Sequence, residues 1–131
     1  MDIEYLGTPF THINREVVEL RYNLITRAAG ALILQQRIIL SPITHCHPIA
    51  KLLTFPIDYK YWRHINRAYI RASKKFLILT LPGWLESKGL TAEREYASSL
   101  GIPLEKINPT DVGISEEMIC NLISLQSESE N

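Results

Sequence analysis

The chain has 131 residues, a length for one domain, and 46 % apolar residues, enough to fill one core. Its 14 Lys and Arg balance its 14 Asp and Glu, which excludes the basic excess that a nucleic-acid polymer demands. Two distant cysteines without a CxxC pair, an acidic start and no apolar run near ~20 residues point to a cytoplasmic protein without disulfides, signal peptide or membrane span.

In chain order, Ile3 to Gly7 reads as a buried strand closed by Pro9. Arg15 to about Gln35 reads as a long helix, capped by Asn14 or Thr11. Arg37 to Ile43 is a second strand, stopped by Pro42, and Pro48 to Leu53 a helical turn. Asp58 to about Ser73 is a second long helix. Phe76 to Leu81 is a near-continuous apolar strand before Pro82-Gly83. Leu90 to Leu100 is a third helix ended by Gly101, Ile102 to Ile107 a weaker strand, and Ile114 to Leu125 a last helix. Residues 126–131 read as a frayed polar tail after a single domain over 1–125.

Strands that are apolar throughout and alternate with helices predict an α/β fold with a parallel sheet covered on both faces. In such sheets ligands bind beyond the carboxyl ends of the strands. The segments there are Gly7 to His12, Ile43 to Pro48 and Pro82 to Thr91.

At 100° per residue, Leu90, Glu93, Tyr96, Ala97 and Leu100 share one stripe of the third helix. Glu93 thus sits where the helix should face the sheet, beside the loop leaving the Phe76 strand. A carboxylate there needs partners or chemical work; reaching round to a neighbouring amide is the competing explanation. Glu86 and Glu95 read as surface residues. The loop Gly83 to Gly89 offers a hydroxyl at Ser87 and free amides at a helix start, which suit an anion or an ordinary helix cap.

Tyr5-Leu6-Gly7-Thr8-Pro9-Phe10 resembles the opening strand and loop of the nucleoside 2-deoxyribosyltransferase superfamily. Ser41 to Ala50 (SPITHCHPIA), Asp58 to Trp62, Leu81-Pro82-Gly83-Trp84, Glu86-Ser87-Lys88-Gly89 and Ala92-Glu93 are similar to segments of a small branch of it. The order and spacing of these motifs, over residues 3 to 105, carry the resemblance. It implies a flavodoxin-like three-layer sandwich with a central parallel sheet of four to five strands, as a homodimer or larger. It also implies cleavage of the N-glycosidic bond of a (deoxy)nucleoside or its 5′-monophosphate. Glu93 matches the nucleophile. Ser87 matches a 5′-phosphate-binding position in the nucleotide-hydrolase branch. Tyr5 to Phe10 match the loop lining sugar and base, with Tyr5, Gly7, Pro9 and Phe10 as its candidate binding residues. The superfamily often carries aspartate where this chain has Asn66 and Lys74. Asp58 is the nearest substitute for the first, although as the opening residue of its helix it reads more readily as an N-cap.

Metal sites need three or four ligands. His45 and His47, at i and i+2 of a strand end, point the same way and suit either ligand contact or loop packing. No second cluster completes a metal site, and no cofactor is expected. His12 faces the ligand or simply opens the first helix. That helix has two apolar faces, Val17, Leu20, Leu24, Ala28, Ala31 and Val18, Tyr22, Ile25, Ala29, Leu32. The second needs cover from the last helix or from another subunit.

Two functions follow as expectations, and a third, a mere interaction module, leaves Glu93 unexplained. In the first, Glu93 attacks the anomeric carbon and the chemistry proceeds with retention. In the second, the scaffold binds or sequesters a nucleotide without turnover, which Asn66 motivates. The candidate site joins Glu93 with Tyr5, Gly7, Pro9, Phe10, His45, His47, Asp58, Asn66, Ser87 and Gly89, around a nucleoside or nucleotide.

Overall fold

Short apolar runs form the two interior strands, which are buried on both faces, while the edge strands are only partly buried. In the computed structural model, which describes residues 2–53 and 59–130, four strands pair in parallel: β1 (Ile3–Gly7), β2 (Ile38–Leu40), β3 (Lys75–Leu79) and β4 (Leu104–Ile107). Their order is β2-β1-β3-β4, so β1 is interior and the order reverses between β1 and β3. Side chains alternate along each strand. Leu6, Leu77 and Leu79 enter one core layer, while Tyr5, Phe76 and Ile78 enter the other.

Five α-helices accompany the strands: α1 (Arg15–Leu34), α2 (Pro42–Leu52), α3 (Tyr59–Ala72), α4 (Lys88–Ser99) and α5 (Glu116–Glu130). The first layer is closed by α1 through Val17, Leu24 and Ala28 and by α5 through Leu122. The second is closed by α3 through Ile70 and by α4 through Leu90 and Ala97. This is the three-layer α/β arrangement of flavodoxin-like folds.

Asn14, rather than Thr11, caps α1, its side-chain oxygen accepting from the Glu16 amide at 2.9 Å. Ser87 caps α4 in the same way, accepting from the Leu90 amide at 3.2 Å. Gly101, at φ +72, lets the chain leave α4 in the left-handed region.

Two expectations are corrected. The second strand is only Ile38–Leu40, because Pro42 starts a helix instead of stopping a strand. Proline at the first helical position loses no hydrogen bond there. The last helix runs through Glu130 rather than stopping at Leu125; no Gly or Pro interrupts 116–130, and Gln126 accepts from Arg21 at 3.2 Å. Of the two covers expected for the second apolar face of α1, the one within the chain is present. Ile25, Ala29 and Leu32 are core residues, and the Tyr22 ring lies 4.8 Å from His47 of α2. Among the described residues, no helix is long and apolar enough to cross a membrane.

Candidate functional site

Reversal of strand order between β1 and β3 makes the following loops diverge, leaving a crevice beyond their carboxyl ends. A cleft of about 740 Å³ lies there, bounded by the loop after β1, α2, α3 and the start of α4. Thr8, Phe10 and Thr11 come from the first loop. Ile43, Cys46 and His47 come from α2, Trp62, Arg63, Asn66 and Arg67 from α3, and Ser87, Gly89 and Glu93 from the α4 region.

Glu93 is half-buried, one turn beyond the fully buried Leu90 of α4. Its carboxylate accepts a hydrogen bond from the phenol of Tyr5, a β1 side chain with no exposed surface. Burial pushes the Glu93 carboxyl up to about 7, and the Tyr5 hydroxyl pulls it partly back. Burial and the Glu93 charge both raise the Tyr5 phenol, which therefore stays protonated as the donor. Tyr5 is itself fixed by stacking on Phe76, with ring centroids 5.2 Å apart and planes at 17°. Gly7 makes that stack possible, since a Cβ there would stand 2.5 Å from the Phe76 ring.

Two further polar atoms of the cleft residues are buried without a hydrogen-bond partner: Thr8 Oγ1 and Asn66 Oδ1. Each such atom costs about 1–3 kcal/mol, so a ligand that draws these side chains towards it recovers that cost. His47 forms part of the wall. Its Nε2 lies 2.9 Å from Glu19 Oε1, and its ring meets Phe10 edge-on at 5.2 Å. Glu19 also holds Lys51 at 3.4 Å, and both partners hold its carboxyl below the usual range. On the opposite wall the Arg67 guanidinium lies 4.7 Å from the Tyr96 ring centre, while Arg63 is exposed at the mouth.

Of the residues singled out in the sequence, Phe10, His47, Asn66, Ser87, Gly89 and Glu93 line this cleft. Tyr5 acts from beneath through Glu93. Gly7 packs on Phe76 and Pro9 is buried, and neither lines the cleft. His45 is a correction. It is exposed and off the cleft because residues 42–52 are helical, and i and i+2 on a helix diverge by about 200°. Asp58 lies outside the described residues. His12 does not line the cleft either; its Nδ1 accepts from the Asn14 amide at 3.0 Å. Glu86 is exposed at the rim, and Glu95 is exposed.

Thr8 lines the cleft as part of the Tyr5 to Phe10 loop, whereas sequence reasoning missed Cys46, Arg63 and Arg67 as lining residues. Arg63 and Arg67 are four apart on a helix whose Lys60, Arg63, Arg67 and Arg71 face no acidic residue within it, a visible one-sided charge pattern. Among the described residues, no group of three or more His, Cys, Asp or Glu side chains stands ready to hold a metal ion.

No curated protein matches the chain. A family model matches residues 2–108, which include all four strands and every lining residue of the cleft. The chain therefore belongs to the family described as a domain of unknown function, DUF1937.

Proposed function

We propose that the chain cleaves or transfers the N-glycosidic bond of a (deoxy)nucleoside or nucleoside 5′-monophosphate, as its resemblance to the nucleoside 2-deoxyribosyltransferase superfamily implies. The observation that carries this reading is Glu93: a carboxylate on the sheet-facing stripe of α4, lining a nucleoside-sized cleft and oriented by Tyr5. A carboxyl that titrates at about 7 is ionised in a useful fraction at neutral pH and is more basic than an exposed one.

In the proposed reaction a Glu93 oxygen bonds to the anomeric carbon as the carbon–nitrogen bond breaks. The bonding pair leaves with the base, which takes up a proton. Water, or the nitrogen of a second base, then attacks the anomeric carbon and displaces the carboxylate, so two inversions give retention. Tyr5 positions Glu93, while Thr8 and Asn66 supply unspent polar groups for the sugar and base.

One observation favours a second reading, a nucleotide-binding protein without turnover. Asn66, an amide unable to shuttle a proton, stands in the cleft where the superfamily often has aspartate. Incubation with a pool of nucleosides and 5′-monophosphates, followed by mass-spectrometric detection of free bases, separates the two. The glycosidase reading expects base release that Glu93→Ala and Glu93→Gln both abolish, with ligand binding retained. Equal release by wild type and Glu93→Ala overturns the nucleophile assignment. Binding without release moves the second reading ahead.

A further inference from the structure

The α3 wall of the cleft carries Trp62, Arg63, Asn66 and Arg67. Spacings of i, i+3 and i+4 set Arg63, Asn66 and Arg67 on one side of the helix, with Trp62 one turn before Asn66. Tyr59–Ala72 contains no Asp or Glu. The wall therefore offers a flat indole, an amide and two guanidinium groups, and no carboxylate.

The polar groups of this wall lack the partners their chemistry calls for. Asn66 Oδ1 is buried and accepts no hydrogen bond. Among the described residues, neither Arg63 nor Arg67 joins an ion pair; the carboxylates in such pairs are Glu4, Glu19 and Glu105. Arg67 is half-buried and lies on the Tyr96 ring. The ring face attracts the charge but leaves the guanidinium N–H groups without an acceptor. Arg71, one turn further, donates to the Tyr96 hydroxyl at 3.0 Å and does not line the cleft. Of the two carboxylates in the cleft, Glu86 is exposed at the rim and Glu93 accepts from Tyr5.

A base that completes this wall must give one N–H to Asn66 Oδ1 and offer oxygen acceptors beside it to the guanidinium groups. The imide edge of uracil, thymine or xanthine does both, since its N–H lies between two carbonyls. Cytosine and adenine present a bare ring nitrogen in place of that N–H. They also set an amino group, itself a donor, where the arginines donate. We propose that the α3 wall is a base subsite selective for imide bases, with Asn66 accepting the ring N–H and Arg63 and Arg67 donating to the carbonyl oxygens. This inference deepens the nucleoside reading and rests on it, but not on turnover. In the proposed reaction the subsite also makes good a missing proton donor. The carbon–nitrogen pair passes into the ring and spreads onto the carbonyl oxygens, where the guanidinium charge holds it until water protonates the departed base.

The test is calorimetry on Glu93→Gln, chosen to keep ligands intact, with uridine, cytidine, N3-methyluridine and the deoxy counterparts of the first two. Uridine should bind about tenfold tighter than cytidine, the scale of one bond to a charged group. N3-methyluridine, which keeps both carbonyls and loses the N–H, should bind as weakly as cytidine. Adding Arg63→Gln and Arg67→Gln should remove the preference by weakening uridine and not cytidine; a thermal midpoint checks that the fold survives. Arg63→Gln alone, at an exposed position, should remove part of it. Equal affinity for uridine and cytidine, or a preference that persists in the arginine variants, overturns the subsite. Base release by the wild type is measured beside this. Release without an imide preference overturns this inference and leaves the glycosidase reading standing. An imide preference in binding with no base released from any nucleoside supports the subsite and overturns the glycosidase reading instead.

Discussion

The two ends of the sheet handle charge in opposite ways. At the amino end, Arg37 reaches Glu4 of β1 through two bonds, at 2.6 and 3.0 Å, and Glu105 of β4 at 3.2 Å. Lys75 of β3 closes the network on Glu105. Two cations thus meet two carboxylates, and each ionised form is held by a partner: Glu4 and Glu105 are pulled below the usual carboxylate range. At the carboxyl end the charges stand apart. Glu93 is pushed up, Arg21 is unpaired, and Thr8 and Asn66 keep buried polar atoms without partners. A network satisfied by its own members stabilises the fold. A set of unsatisfied groups around a cleft costs stability, and that cost is expected where a ligand completes the bonding.

The largest effect should come from breaking the satisfied end. Arg37→Ala strands Glu4, leaves Glu105 to Lys75 alone, and should cost about 3 kcal/mol in urea unfolding at pH 7, since bonds to charged groups are worth about 1.5–3 kcal/mol each. Because the native pKa values of Glu4 and Glu105 are depressed, their stabilisation is present above the ordinary carboxylate range and lost as pH falls through it. The penalty of Arg37→Ala should therefore shrink towards pH 3. An unchanged penalty across that range would remove the network from the account of stability.

At the other end the sign reverses. Glu93 has a native pKa raised to about 7, so the folded state holds a proton that the unfolded chain releases near 4.5. Stability is therefore lost as pH rises from about 4.5 to about 7. Glu93→Gln should stabilise the protein by about 2 kcal/mol at pH 8 and by little at pH 4.5. Denaturant midpoints at both pH values check this, and a destabilised variant at pH 8 would show that Glu93 serves packing.

Tyr5→Phe tests how the two ends are told apart. Removing the phenol takes away the bond that favours the Glu93 carboxylate. The titration midpoint of Glu93, followed by carbon NMR of labelled carboxyls, should rise by about one pH unit, since one unit corresponds to a single bond of about 1.4 kcal/mol. A midpoint that stays put would mean the phenol does not orient the carboxylate.

The smallest effect is expected at Ser87→Ala. Loss of the α4 cap should cost about 1 kcal/mol at any pH. Under the proposed function it should also weaken phosphorylated ligands more than free nucleosides, which parallel titrations would resolve.

Much of the fold is legible because its signals are local. The run Phe76 to Leu81 is apolar enough to be a buried strand in any context, and Gly101 ends α4 wherever α4 packs. Pro42 was ambiguous, since proline both stops strands and starts helices. Reading it as a stop turned α2 into a strand end and aligned His45 with His47 wrongly. Glu93 was visible as a charge on an apolar stripe. The same test applied to α1 marks Arg21 between Val17 and Leu24.

The sequence by itself determined which segments are strands, which helix faces are apolar, and that a carboxylate stands on one of them, because these depend on spacing along a single element. The tertiary structure decided that Tyr5 meets Glu93 across 88 positions of sequence and that Glu4 and Glu105 are balanced by Arg37 and Lys75. It also decided that Arg21 Nε, Thr8 Oγ1 and Asn66 Oδ1 are buried without a hydrogen-bond partner. Whether a buried polar group is satisfied depends on what packs opposite it, and packing is a property of pairs of elements that no single segment contains.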